Sequence, residues 1–485
     1  MSRAKAALPA ICSALLLLLA FPPFNLEPLV FVALAPWLVS LEGARTRGAW
    51  RRGYIFGLTF GLGQLHFIYE LTARWTGSIG LGMVPWLIAS VLMALYFGLA
   101  GLVIAISIRK RWLWAIPLLW AGIEVFRSYL PVFAFPWGLL ASPLWRFPIL
   151  IQCAHWGTIY LVSAWVVAIN LLWLGLRKKG YRPMLKRIGA VSFVVAAVSV
   201  GTYLLPSNIE QVPVTIGQTG IDMAFGDPDL QRFRTDQQAA RMVEQGLQNK
   251  SRLLVLPEGI AGVRGAPPFR LPFALDSRLP TLFGAERFRD SSIYQSAIGF
   301  DGDWKFADKT RLVIFGEFVP ARDYLPFLKE FHLPNGDLNA SDRGTQMLTL
   351  GSLPVGPLIC FEGLFPDLAY KQAHNGAHLL AVMSNDDWFM DTSAPAELRI
   401  GSIWRAVETG LPLVRAGSLG HSLAIDGRGR VIAEAPLGRP FALQVNVPVP
   451  KEPISDWWLP VFPLVSLAFL VSVPIAAKRS GSQKQ

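Results

Sequence analysis

The chain is predicted to combine a polytopic α-helical membrane domain of about eight spans with a layered α/β domain whose sheets are buried. Composition is the first reason. Of 485 residues, 52% are hydrophobic and only 16% charged, with 17 Trp and a mean hydropathy of +0.40. The charged share is well below the roughly 25% of an average soluble domain, which excludes a disordered chain and a purely soluble enzyme. The second reason is eight apolar runs, at 7–22, 28–41, 53–70, 81–108, 112–126, 148–176, 188–205 and 457–477. The third is an uneven division of charge. Residues 1–206 and 458–485 hold 21 Lys/Arg and 4 acids, giving +17, while 207–457 hold 24 and 29, giving −5. The basic excess thus belongs to the apolar part, where membrane topology accounts for it and nucleic acid does not.

A bilayer crossing takes roughly 20 apolar residues, with a range of about 17–25. Most runs qualify. The first two are short and joined by Phe21-Pro22-Pro23-Phe24, so they read as two tight spans or one re-entrant pair. Arg3 and Lys5 before an apolar core fit a signal peptide, but no small-x-small site precedes the proline turn, so the first helix is expected to be retained. Basic clusters at 3–5, 45–52, 109–111, 177–187 and 478–484 fall on one side of an eight-span arrangement. The positive-inside rule makes that side cytoplasmic, with Trp457-Trp458 as an interfacial anchor. The expected domains are therefore 1–206 (membrane, seven spans), 207–456 (periplasmic) and 457–485 (last span and cytoplasmic tail).

The periplasmic segment is large enough to bury its own core. Val212–Ile216, Arg252–Leu256, Thr281–Ala285, Ile293–Phe300, Val355–Ile359, Leu379–Met383, Leu411–Arg415 and Ala442–Val447 read as strands, several apolar throughout. Leu230–Gln248 and Ala394–Glu408 carry helical spacing, and Pro366–Asn375 is a further helix. Continuous apolar strands alternating with helices predict sheets covered on their faces.

Three cysteines, Cys12, Cys153 and Cys360, cannot build a disulfide framework or a Cys-rich zinc site. Only Cys360 lies in the periplasmic segment, on a strand-to-helix turn that presents a side chain and backbone N–H groups to a cleft. An unpaired thiol in an oxidising compartment is a candidate nucleophile; a small buried hydrophobe is the bland alternative. A thiol needs a base or a positive charge to activate it. His332, His374, His378 and His421 are available, but none has a context that singles it out. His374 and His378 are spaced i, i+4, yet Gly376 intervenes and a third ligand is missing, so no metal is expected. Glu258 ends an apolar strand, where a carboxylate needs a partner if buried. Lys309 stands eight residues before Glu317. At the outer end of the fifth run, Glu124 and Arg127 are spaced i, i+3, as in a local ion pair.

Taken together these residues carry a resemblance. Glu258 in strand-Pro-Glu-Gly, Lys309 before Phe315-Gly316-Glu317-Phe318-Val319-Pro320, and Cys360 in Ile-Cys-Phe-Glu resemble the nitrilase (carbon–nitrogen hydrolase) superfamily. With its multi-span N-terminal half and closing C-terminal span, the whole chain resembles that superfamily's membrane-bound branch, the apolipoprotein N-acyltransferase family. Ser384-Asn385-Asp386-Asp387-Trp388-Phe389, Arg405-Ala406-Val407-Glu408 and Phe135-Pro136-Trp137 add to the likeness. There are departures: Phe361 stands for the usual Tyr, Ile314 for Pro, Met390 for Gly, and Ser418-Leu419 for Asn-Asn.

The resemblance implies an α-β-β-α sandwich and a Glu-Lys-Cys triad. Glu258 would be the general base, Lys309 the oxyanion stabiliser and Cys360 the nucleophile. Glu317 would support Lys309, and a backbone N–H near Phe361 would join the oxyanion site. Glu362 reads as structural. Trp388, Phe389 and Met390 suit lipid contact, with core packing an equal alternative. The implied reaction passes an acyl chain from a membrane phospholipid, through a Cys360 thioester, to the α-amino group of a diacylglyceryl-cysteine apolipoprotein. No cofactor, metal or nucleic acid is implied, and the location is the bacterial inner membrane. Two other readings stay open: a membrane-tethered amidase or hydrolase, and a non-catalytic export or conjugation paralogue.

Overall fold

The structure is a computed structural model that describes residues 3–131, 133–177, 179–205, 208–223, 226–320, 322, 324, 333, 336–389, 391–452 and 458–482. His332, Met390 and Trp457, singled out above, lie outside the described residues. The chain divides into two compact units, Met1–Leu205 with Trp458–Gln485, and Pro206–Trp457.

The first unit is helical. Its helices are α1 (Arg3–Leu18), α2 (Ala35–Leu41), α3 (Thr46–Gln64), α4 (His66–Thr76), α5 (Ile79–Arg109), α6 (Ile116–Tyr129), α7 (Pro148–Ile151), α8 (Ala154–Arg177) and α9 (Arg182–Leu204), with the last helix of the chain, Val461–Ser482, completing it. Among the described residues four helical stretches are long and apolar enough to cross a membrane: Ile79–Arg109, Ala154–Leu174, Lys179–Leu204 and Val461–Arg479. Ala7–Leu18 and Glu27–Leu41 are apolar but shorter. This is fewer than the eight apolar runs suggested, because hydropathy does not register breaks in a helix. Run 53–70 straddles the break at Leu65 between α3 and α4, and run 112–126 divides between the 3-10 turn Leu113–Ala115 and the 14-residue α6.

Small residues set the packing of this unit. A Cβ on Gly57 of α3 would lie 2.7 Å from the Phe97 Cβ and 2.8 Å from the Ala94 Cα of α5, so the two backbones approach only because that position is bare. Trp37, Phe56, Phe97 and Trp120 then form an aromatic cluster, with Trp37 stacked on Phe56 at 4.9 Å. The buried Asn170 of α8 donates to the Val30 and Val166 carbonyls and accepts the Leu34 N–H. Glu124 and Arg127 both anchor the segment after α6. Arg127 donates to the carbonyls of Trp137 (2.5 Å) and Gly138 (3.0 Å), and Glu124 accepts the Leu140 N–H at 2.8 Å.

The second unit contains two sheets. Its elements are β1 (Ile209–Gln218), α10 (Pro228–Gln248), β2 (Leu253–Val255), β3 (Ala261–Arg264), β4 (Thr281–Arg289), β5 (Ser292–Phe300), β6 (Trp304–Asp308), β7 (Leu348–Leu350), β8 (Leu353–Ile359), α11 (Pro366–His374), β9 (Leu379–Ser384), α12 (Ala394–Thr409), β10 (Leu413–Gly417), β11 (Leu423–Ile425), β12 (Val431–Glu434) and β13 (Phe441–Pro450). One sheet runs β13-β1-β2-β4-β5-β6, with β3 also on β4; the other runs β12-β11-β10-β9-β8-β7. Apolar side chains of both sheets, among them Val214, Val255, Leu282, Val355, Ile359, Met383 and Val414, share one core. Met242 and Val243 of α10 pack on Leu254, Leu256 and Phe283 at the outer face of the first sheet. Helices α11 and α12 contact β8 and β10 of the second. The layers are thus helix, sheet, sheet, helix. Strand β2 is parallel to β1 and β8 is parallel to β9, and the segments after β2, β8 and β9 carry Glu258, Cys360 and Asn385.

Candidate active site

Strand β8 is buried almost throughout, and Cys360 follows it with φ of 51° at the head of the 3-10 turn Cys360–Leu364. A left-handed backbone is costly for any residue with a Cβ and persists only where its surroundings enforce it. Here Glu362 enforces it. Its Oε2 accepts the Ile359 N–H at 2.9 Å, while Oε1 accepts the N–H groups of Thr310 (2.7 Å) and Arg311 (3.0 Å). One carboxylate therefore ties the cysteine turn to the residues directly after Lys309, which refines the structural role expected of it.

Lys309 follows β6 and is fully buried. Its own N–H donates to the Gln295 carbonyl at 2.7 Å, and its carbonyl accepts the Ser341 N–H at 2.8 Å. The preceding Asp308 is held by Arg287 at 2.6 Å and by Ser296 at 2.6 Å. The Lys309 Nζ donates to Glu317 Oε1 at 2.5 Å and lies 3.8 Å from Glu258 Oε1. Glu317 is itself oriented by the Val313 N–H on its other oxygen, at 2.8 Å. Burial alone would lower the Lys309 pKa, but the facing carboxylates of Glu317 and Glu258 outweigh it and raise the value, so the ammonium stays charged.

Glu258 sits past β2, where Gly259 turns the chain at φ of 77°. Its Oε2 accepts the Asn385 N–H at 3.0 Å, and the Cys360 side chain is its neighbour. Burial pushes its pKa up to about 7, against the pull of Lys309. Burial and the neighbouring Glu258 push the Cys360 thiol up to about 12, with Lys309 opposing. At rest the proton therefore stays on sulfur, with a carboxylate placed to take it. A thiol, a base and a fixed ammonium together can carry out nucleophilic substitution at a carbonyl.

The structure thus brings Glu258, Lys309, Cys360 and Glu317 together. Phe361 is half-buried and meets Phe365 edge-on at 5.2 Å. Trp388 and Phe389 are half-buried on the turn Asp387–Phe389. Two of the histidine rings are engaged elsewhere: His374 stacks on Tyr370 at 5.8 Å and His421 pairs with Glu434 at 2.7 Å. Among the described residues no group of three or more His, Cys, Asp or Glu is arranged to hold a metal ion. Sequence reasoning passed over the pair Asp386–Arg415, which is buried and joined at 2.7 Å beside the cysteine. One arginine in the otherwise apolar stretch Leu411–Arg415 was the signal for it, since a buried charge requires a partner.

Residues 13–172 match the family model described as the apolipoprotein N-acyltransferase N-terminal domain, and residues 281–449 match that for carbon-nitrogen hydrolase. Relatives named apolipoprotein N-acyltransferase align over nearly the whole length. That of Agrobacterium fabrum is 30% identical over 87% of this chain and 86% of its own. That of Geobacter metallireducens is 28% identical over 91% and 89%, and that of Gloeobacter violaceus 28% over 96% and 93%. Paired with the geometry around Cys360, these matches place the chain in the apolipoprotein N-acyltransferase family.

Proposed function

We propose that this enzyme N-acylates apolipoproteins, taking the acyl chain from a membrane phospholipid. The observation that carries the reading is the Cys360 thiol, held on a left-handed turn against the Glu258 carboxylate with the buried Lys309 ammonium beside them. The Cys360 sulfur attacks the ester carbonyl as its proton passes to Glu258. Lys309 and a backbone N–H near Phe361 stabilise the oxyanion. The tetrahedral intermediate collapses, the lysophospholipid oxygen leaves with the proton from Glu258, and a thioester remains. The α-amino group of a diacylglyceryl-cysteine then attacks, Glu258 takes its proton, and the amide forms as the thiol is restored. Trp388, Phe389 and Met390 contact lipid in this reading.

Both substrates are membrane-anchored, which fits a chain with membrane-length helices. We place residues 1–206 and 457–485 in the bacterial inner membrane as eight crossings, with 207–456 in the periplasm. The basic clusters on one side of that arrangement support it. If residues 7–41 form a re-entrant pair instead, two crossings are lost together and the sidedness is unchanged.

The test is to incubate the membrane protein with phospholipid alone and weigh it by mass spectrometry. One acyl chain should load, be removed by hydroxylamine, be absent from Cys360→Ala, and pass to a diacylglyceryl peptide in ping-pong fashion. Rapid release of free fatty acid without acceptor would point to a hydrolase. No adduct under any condition would leave a non-catalytic protein.

A further inference from the structure

A buried carboxylate outside the triad closes a web of bonds that ends on Glu258. Asp387 is fully buried. Its Oδ2 accepts the N–H of Met223, on the segment after β1, at 2.9 Å. Its Oδ1 accepts the hydroxyl of Ser418, on the segment after β10. Its own N–H donates to Asn385 Oδ1 at 3.1 Å, and the Ser418 hydroxyl lies 3.1 Å from that same oxygen. The Asn385 backbone N–H is the group that holds Glu258 Oε2.

Ser418 has a single hydroxyl proton and two acceptors within reach. An ionised Asp387 takes that proton, since a charged acceptor makes the stronger bond. A protonated Asp387 has a proton of its own to place, so the hydroxyl swings to Asn385 Oδ1 and competes there with the Asp387 N–H. We propose that ionised Asp387 is a positioning residue for acyl transfer: it keeps the Ser418 hydroxyl off Asn385 Oδ1, so that the Asp387 N–H alone fixes Asn385 and the Asn385 N–H aligns the Glu258 carboxylate. The inference rests on Glu258 acting as the base.

The charges around Asp387 are Asp222 on the segment after β1, Asp386 on its own turn, Glu258 beyond Asn385, and Arg415 on β10. Both oxygens of Asp386 occupy Arg415, at 2.7 and 2.8 Å, and among the described residues no ion pair includes Asp387. Burial therefore pushes Asp387 up to about 7, opposed by the bonds from Ser418 and Met223 and assisted by Asp222 and Asp386. Its protonation falls in the range where the enzyme would work.

The experiment follows the rate of Cys360 acylation by phospholipid vesicles against pH, in wild type, Asp387→Asn and Ser418→Ala. Two ionisations should give the wild type an acid limb of slope about two, and Asp387→Asn a slope of about one. Asp387→Asn should also lower the plateau by roughly 10²-fold, the scale of a small misplacement of a catalytic group, with KM unchanged. Ser418→Ala keeps the carboxylate but loses the donor that favours its ionised form, so its acid limb should move to higher pH with the slope retained. Wild-type slope and plateau in Asp387→Asn would overturn the inference. If that variant fails to fold, an unmoved acid limb in Ser418→Ala would overturn it alone. A wild type that never acquires an acyl group would sink the acyl-transfer reading itself, and this inference with it.

Discussion

At Glu258, catalysis and stability draw on the same burial. Its carboxyl titrates at about 7 in the fold against 4.5 when free. The folded chain therefore holds that proton more tightly than the unfolded one. As pH rises from 4.5 to about 7, ionising Glu258 costs folding stability, and the cost is complete above that window. In the proposed mechanism the ionised form accepts the thiol proton, so activity should switch on where this stability is given up. Glu258→Gln cannot ionise. Thermal melting of the two proteins across the window should show wild type losing ground to Glu258→Gln as pH rises, while acylation is detectable only in wild type. Parallel melting curves would show that burial does not set this pKa. Lys309 has the same sign in a higher window: its folded pKa is also raised, so the stability it contributes is fully present below 10.5 and is lost as pH rises above that value.

The site is assembled from turns between elements, so the elements need close contact at particular points. Strand β4 passes directly under the Glu258 turn, and a Cβ on Gly284 would lie 2.5 Å from the Glu258 Cα. That neighbour is backbone and cannot rotate away. Gly284→Ala should cost about 1–3 kcal/mol in overpacking and lower the acylation rate by roughly 10²-fold by displacing the base. Urea unfolding and single-turnover acylation measure the two effects. Unchanged values for both would mean that β4 does not position Glu258. Glu362 works at the same scale, since its bonds to Ile359, Thr310 and Arg311 join the end of β8 to the segment after β6.

For the whole molecule the consequence of charge asymmetry is sidedness. A reporter at residue 180 or at the C-terminus should read as cytoplasmic, and one near residue 340 as periplasmic. A membrane-impermeant protease added to spheroplasts should cut only within 207–457. Protection of that region would overturn the topology and, with it, the supply of lipid to Cys360. The helical unit also predicts where crossings are least secure: Ala7–Leu18 and Glu27–Leu41 are shorter than a bilayer requires.

Local patterns carried a large part of this architecture. The apolar stretches that became β1, β2, β4, β5, β8, β9, β10 and β13 were legible because several of them are continuous apolar runs; Glu258 and Cys360 were legible because each follows such a run, and Lys309 through the Phe-Gly-Glu motif that ends eight residues after it. The short strands β3, β6, β7, β11 and β12 were not, since three to five residues carry too little periodicity and depend on a neighbour for their bonds. Run length overstated the number of membrane-length helices, because the break at Leu65 is a matter of backbone angles and not of hydropathy. The partners of the charged groups were beyond the sequence altogether. Asn385 holds Glu258 across 127 positions, and Glu362 reaches Thr310 across 52. Which residues carry chemistry is written in the chain order, whereas which groups hold and tune them depends on how two sheets stack, and that stacking brings together residues with no local signature in common.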